Sequence, residues 1–232
     1  MSAHSRFGAS SAHRWMRCPG SIQATADLPN VSSKEAEEGT MLHEAAANIL
    51  LCIPQHYDLT DEQQDVVDVY VNLVRHEAQG GQLFVEQKFK LPHHSEFWGT
   101  ADAVIVSGDA LKVIDLKAGR GVAVEVDYGG KINPQLGFYA LGAMAAQNKW
   151  EWDLIEIIVV QPRLGGVKRR VVHPLELADL AQEMVAAVAL AESENPPFAA
   201  GSHCKFCLAR ATCPTLREEV WRLVRVDFDA VA

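Results

Sequence analysis

The sequence predicts an α/β domain with a cysteine-rich appendage. Three observations carry this. The hydrophobic period switches from helical to alternating and back along the chain. A content of 48% hydrophobic and 22% charged residues suits a globular chain with one sizeable core. From Asn195 the composition shifts to Pro, Gly and Cys, in "NPPFAAGSHCKFCLARATCP".

The first periodic segment, "SSKEAEEGTMLHEAAANILLC", has Ser33 as N-cap and glutamates in its first turn, and predicts a helix of about five turns that Pro54 ends. "TDEQQDVVDVYVNLVRHEAQGG" opens on Thr60 or Asp61 as cap and stops at Gly80-Gly81, a second helix. "QLFVEQKFKLP", "FWGTADAVIVSG" and "ALKVIDLKAG" are apolar or alternating runs divided by turn residues, a meander of three strands. "NPQLGFYALGAMAAQNK" returns to helical spacing. "DLIEIIVVQPRLGG" and "VKRRVVHP" read as two more strands, and "PLELADLAQEMVAAVALAESE" as an amphipathic helix with Pro174 near its first turn.

At 232 residues the chain suits one domain, or one domain and a small addition. No run approaches the roughly 20 apolar residues of a membrane span, and the N-terminal segment lacks the apolar core of a signal peptide, so a cytoplasmic protein with no membrane partner is expected. The net charge of -9 argues against a general polyanion binder. It leaves room for a local basic groove: Arg163, Lys168, Arg169 and Arg170 gather in "PRLGGVKRRVV", and Arg6, His13, Arg14 and Arg17 near the N-terminus. Such a run is ordinarily a solvated face.

"VIDLKAG" sets an acid and a base one residue apart on a strand. Residues two apart share a face, so Asp115 and Lys117 point together while Leu116 enters the opposite layer. An isolated Asp-x-Lys is ordinarily a surface ion pair. Here Asp102, in "WGTADAV", lies on the preceding strand, and a hairpin brings both carboxylates to one end of the sheet. Clustered carboxylates raise each other's proton affinity unless a cation holds them ionised, and magnesium or manganese suits oxygen donors. A lysine beside that cation can orient an attacking water and stabilise developing negative charge, which is the chemistry of phosphodiester hydrolysis. Glu86, in "FVEQKF", lies on a strand whose register the sequence leaves open, and no role is assigned to it.

Asp102 followed by Asp115-Leu116-Lys117 on the next strand resembles the PD-(D/E)XK nuclease superfamily. "GTMLHEAA", with Gly39 and His43, is similar to the helical G-x-x-x-H motif of its RecB-like exonuclease branch, and "QLGFY", Gln135 to Tyr139, to the Q-x-x-x-Y motif after the catalytic strand. The resemblance implies a restriction-endonuclease-like core: a central mixed β-sheet flanked by helices. It implies a Mg2+- or Mn2+-dependent deoxyribonuclease, an exonuclease on linear DNA in recombination, repair or end processing. His43, Asp102, Asp115 and the Leu116 carbonyl would hold the metal; Asp102, Asp115, Lys117, Gln135 and Tyr139 would be catalytic. Lys168, Arg169 and Arg170 are candidates for the DNA backbone, with Tyr139 or Trp98 as stacking surfaces.

Four of the five cysteines form a one-plus-three layout, Cys18 far from Cys204, Cys207 and Cys213 in a C-x2-C-x5-C pattern. It is similar to the iron-sulfur staple of AddB-type helicase-nucleases and iron-sulfur CRISPR adaptation nucleases, which implies a 4Fe-4S cluster joining the N- and C-terminal segments. Four thiolates can hold such a cluster, and structural Zn2+ is the alternative because C-x2-C is also a zinc half-site. Cys52, in the apolar "NILLCIP", is expected to be a buried small hydrophobe. A single nuclease domain over 1–232 follows, with the core at 33–194 and the cysteine-rich lobe at 1–30 plus 195–220. No G-x-x-x-x-G-K-[ST] loop occurs, so the expectation is a stand-alone enzyme of phage or prophage type, partnered by DNA and by a recombinase or single-strand annealing protein. Two alternatives stay open: a non-catalytic DNA-end-binding module and a zinc-stabilised structural protein.

Overall fold

A computed structural model describes residues 5–29 and 32–229. In chain order the elements are helices α1 (Ala12–Trp15), α2 (Ser21–Ala24), α3 (Lys34–Leu50) and α4 (Asp61–Glu77), strands β1 (Gln82–Lys90), β2 (Trp98–Ser107), β3 (Ala110–Leu116), β4 (Asp127–Tyr128) and β5 (Lys131–Ile132), helix α5 (Pro134–Ala146), strands β6 (Leu154–Gln161) and β7 (Gly166–Val171), and helices α6 (Pro174–Ala191) and α7 (Pro214–Asp229). They fall into two compact units, Met1–Ala9 with Ser32–Ala181 and Ser10–Val31 with Gln182–Ala232.

The larger unit holds a five-stranded mixed sheet in the order β1-β2-β3-β6-β7, in which only β3 and β6 run parallel. The continuous apolar run of β6 makes it an inner strand buried on both faces, while β7 alternates and lies at the edge. Ala103, Ile105, Ile114, Leu116, Ile158 and Val160 form one core with Leu42 and Ala46 of α3 and Val67, Tyr70 and Val74 of α4. Helix α5 packs against β1, β2, β3 and β6. Gly142 lets it close on β1, since a Cβ there would lie 2.5 Å from Phe89 Cβ.

Local chemistry sets the helix ends. Ser33 Oγ accepts the Ala36 N–H at 3.3 Å. Thr60 and Gln63 make a reciprocal capping box. Helix α3 stops at Leu50, four residues before Pro54, and Cys52 beyond it takes a left-handed φ of 56°. The Cys52 and Ile53 N–H groups then bond to Ile49 and Asn48 carbonyls, a Schellman end. That geometry turns Cys52 outward, so it is exposed and not the buried hydrophobe its apolar neighbours suggest.

The smaller unit contains α1, α2, α7, the C-terminal part of α6 and two short 3-10 turns, Ser202–Phe206 and Leu208–Ala211. Trp15 is fully buried in it. The Gly20 N–H donates to Pro197 O at 2.9 Å, which ties the two segments of this unit together. Residues 1–4 and 30 of the expected lobe lie outside the described residues.

Candidate active site

Antiparallel pairing of Ala103 with Ile114 puts Asp102, midway along β2 and one step past the last pair, opposite Asp115 near the end of β3. Asp102 is locked from two sides. Its Oδ2 accepts the Leu116 N–H at 2.7 Å, and its Oδ1 lies 3.2 Å from Nδ1 of His43 on α3. The Leu116 side chain is fully buried against α3 and α4. Asp115, 1% exposed, accepts Gln135 Nε2 on Oδ1 at 3.0 Å and faces Lys117 Nζ with Oδ2 at 2.8 Å, close enough for an ion pair but not aligned as a hydrogen bond. The alternation that puts Asp115 and Lys117 on one side of β3 is therefore met.

Gln135, in the first turn of α5, organises the rest. Its Oε1 accepts Lys117 Nζ at 2.9 Å, and its Nε2 also donates to Tyr139 Oη at 3.2 Å. Helical spacing of four makes this last contact possible. Tyr139 is 3% exposed, so its ring is part of the core and not a surface on which a base can stack. Trp98 is half-buried, with Lys88 Nζ 3.9 Å from its ring centroid.

Glu86 on β1 completes the cluster. His43, Glu86 and Asp102 each present a ligand atom within 4.8 Å of the other two. Glu86 adopts a left-handed φ of 50°, and its flanking pairs, Val85 with Ala103 and Gln87 with Ala101, place it across from Asp102. Sequence reasoning could not assign it, because period-two alternation fails where one residue leaves extended backbone. The available signal was an acid inside an otherwise alternating strand.

Three carboxylates here share one ammonium and one imidazole, and their proton affinities record the crowding. Burial and the Asp102 charge push Glu86 up to about 7. Asp115 is raised, chiefly by burial and then by Asp102. Burial opposes the charge on Asp102 too, but His43, Lys117 and the Leu116 N–H together hold it below the usual carboxylate range. Burial works against the cations as well; Asp102 outweighs it for His43, and Asp115 with Asp102 for Lys117, so both are raised.

This donor set fits a divalent cation. Oxygen ligands at about 2.1 Å from a magnesium ion are at most about 4.2 Å apart, so His43, Glu86 and Asp102 need only a small contraction. The excess of acid over base supplies the charge reason. Asp115 adjoins this trio, joined to Lys117 and Gln135.

The basic run is not an unpartnered patch. Lys168 donates to Glu125 at 2.7 Å and Val124 O at 3.0 Å. Arg169 binds Glu77 at 2.6 Å and Glu156 at 3.4 Å, while Arg170 binds Glu176 and Gly130 O. The Arg163 side chain is 5% exposed and holds Glu38, Glu62 and Ala118 O. Arg163, Lys168 and Arg169 take acidic partners distant in sequence, which the local run could not reveal, while Arg170 pairs with Glu176 six residues on.

The smaller unit holds all four cysteines of the one-plus-three layout. The Ala199 N–H donates to Cys18 Sγ at 3.5 Å, and Ala199 O lies 4.0 Å from Cys204 Sγ, so one backbone unit touches both a remote and a clustered thiol. Cys18 is buried; Cys204, Cys207 and Cys213 are half-buried. A tetrahedral zinc with bonds of about 2.3 Å would hold its sulfurs about 3.8 Å apart. Among the described residues, no three thiols come within 4.8 Å of one another.

Fold and site together define an α/β protein with a mixed sheet flanked by helices and an acidic, lysine-bearing centre where the β2–β3 pairing ends. The chain belongs to the family described as "Protein of unknown function (DUF2800)", whose model it matches over residues 4–232. Among solved structures it is similar to SSO0001, with 13% identity, 90% of this chain and 85% of that one covered, and a TM-score of 0.40. It is also similar to an alkaline exonuclease, LHK-Exo from Laribacter hongkongensis, at 16% identity, with 78% and 93% covered and a TM-score of 0.36. The complex of LHK-Exo with dAMP gives 15%, 79%, 91% and 0.36 for the same measures. Likenesses this distant leave the functional reading to the residues of this chain. No helix among the described residues is long and apolar enough to cross a membrane.

Proposed function

We propose that this protein is a divalent-metal-dependent nuclease that hydrolyses phosphodiester bonds of DNA, acting from the ends of linear molecules. One observation carries the reading: Asp102, Asp115 and Lys117 share a buried end of the sheet with His43 and Glu86, and their acid excess calls for a cation.

His43, Glu86 and Asp102, with Asp115 adjoining, would hold Mg2+ or Mn2+, which when bound supplies Lewis-acid neutralisation of charge on the phosphate and the leaving oxygen. Lys117 is raised in proton affinity and so stays an ammonium at neutral pH. Its work is to orient the attacking water and meet negative charge as it develops, rather than to remove a proton. Gln135 fixes Lys117 and Asp115 at once, and Tyr139 fixes Gln135, so the nucleophile-orienting group is held by packing on α5. His43 keeps Asp102 ionised and in one rotamer. The end preference rests on the resemblance of the motifs to RecB-like exonucleases.

The cysteine-rich unit is read as a 4Fe-4S site formed by Cys18, Cys204, Cys207 and Cys213. This reading rests on the resemblance of the one-plus-three cysteine layout to iron-sulfur nucleases, four thiolates being able to hold such a cluster. Its role is structural, closing the loop between Cys18 and Cys204.

The test uses anaerobically purified protein with Mn2+ or Mg2+ on matched linear and circular DNA, single- and double-stranded, with Lys117→Ala in parallel. Degradation of linear DNA alone, lost in the variant, is the expected result. Cutting of circles would replace exonuclease by endonuclease action. Binding without cleavage by either protein would overturn the catalytic reading in favour of a DNA-end-binding module.

A further inference from the structure

Tyr70 of α4 is a phenol in the wrong company. It is 2% exposed and sits in the aliphatic core that α3 and α4 form with the sheet, yet its Oη has no hydrogen-bond partner. A buried hydroxyl without a partner forfeits its hydration, and a phenylalanine would fill the same space without that cost. Three residues of its cluster are chain neighbours of the site: Leu42 precedes His43, Ala103 follows Asp102, and Leu116 separates Asp115 from Lys117. The Asp102 carboxylate is reached from this same layer, by Nδ1 of His43 on α3 at 3.2 Å and by the Leu116 N–H at 2.7 Å; burial first, and then the charges of Asp102, Asp115 and Glu86, make the Tyr70 phenol hold its proton more tightly. A carboxylate cluster in acid excess needs donors, and Tyr70 is a donor with nothing to donate to.

We propose that Tyr70 is a positioning residue of the acidic site, its O–H donating to the carboxylates around Asp102 when a divalent cation is bound and so fixing the rotamers that hold the cation. This rests on the metal-site reading above. It adds a donor from the α4 side, where the G-x-x-x-H, Asp-x-Lys and Q-x-x-x-Y motifs supply none. Outer-shell donors of this kind tune a metal centre without touching the metal, and their loss weakens affinity or activity by about 10- to 100-fold.

The experiment compares the wild type with Tyr70→Phe, which keeps the ring and removes only the hydroxyl. Mn2+ affinity is measured by calorimetry, thermal midpoints are taken in metal-free buffer and with Mn2+, and cleavage of a linear duplex is followed at saturating Mn2+. The expected pattern is opposed: a metal-free midpoint equal to or above the wild type, with Mn2+ affinity about tenfold weaker and slower turnover. A structural role alone would lower the midpoint and leave affinity unchanged. Unchanged affinity and turnover in Tyr70→Phe, with a wild type that binds Mn2+, would overturn the proposal and spare the site reading. A wild type that binds no Mn2+ would overturn both.

Discussion

Replacing Lys117 by methionine tests whether the acid–base pair on β3 is a buried ion pair. The methionine keeps the length and apolar stem of the side chain and removes its charge. Asp115 is then left without its cation, in a side chain that is only 2% exposed, next to Asp102. Removing one partner of a buried pair costs about 3–5 kcal/mol. Lys117 itself keeps 23% exposure, and Asp115 can take up a proton, so the lower end applies: about 3 kcal/mol. For a chain of this size that lowers the melting midpoint by about 6–12 °C in metal-free buffer at neutral pH. The deficit shrinks as the pH falls, because Asp115 has a raised proton affinity and is neutralised early. The assay is thermal unfolding of wild type, Lys117→Met, Asp115→Asn and the double variant, which isolates the coupling between the two residues. A Lys117→Met midpoint within about 2 °C of the wild type, or a loss as large in the Asp115→Asn background as alone, would refute the pairing.

Three further outcomes follow from the same structure. Glu86 has its proton affinity raised to about 7, so its folded form holds a proton that the unfolded chain has already released; metal-free stability therefore falls as pH rises from about 4.5 to 7, and Glu86→Gln flattens that part of the profile while weakening Mn2+ stabilisation. Glu77 bridges Lys112 at 2.5 Å and Arg169 at 2.6 Å and is held below the usual carboxylate range, chiefly by Arg169, so its contribution is present above the ordinary glutamate pKa and lost as pH falls through the depressed value. Glu77→Gln should cost about 2 kcal/mol at pH 7 by denaturant unfolding, discounted for its part-exposed partners, and progressively less as the pH is lowered through the range where the folded glutamate takes up its proton. Cys204→Ala should abolish bound iron and visible absorbance in anaerobically purified protein, whereas recovery of stoichiometric zinc from the wild type would replace the cluster by a zinc site.

Much of the centre was legible because short-range periodicity fixes direction. Spacing of two on β3 aligns Asp115 with Lys117, and spacing of four on α5 aligns Gln135 with Tyr139. The meander brings Asp102 opposite Asp115, and His43 reaches Asp102 from α3. What stayed hidden depends on exceptions to periodicity or on distant partners. The left-handed φ at Glu86 breaks the alternation that would have aimed it, and that at Cys52 turns an apolar-looking residue outward. Strands β4 and β5 are two residues each, too short to leave a pattern. The ion pairs of Lys168 with Glu125 and Arg169 with Glu77 join separate elements, so a run that looked available for phosphate is engaged within the fold.

Metal-dependent cleavage at this centre is measured most directly by the release of labelled nucleotides from an end-labelled linear duplex by wild type and Asp115→Asn, with Mn2+ added to metal-free protein and then chelated. Release should begin with Mn2+, stop on chelation and be lost in a variant that remains folded. Release by Asp115→Asn at the wild-type rate, or none by a wild type that binds Mn2+, would contradict cleavage at this centre.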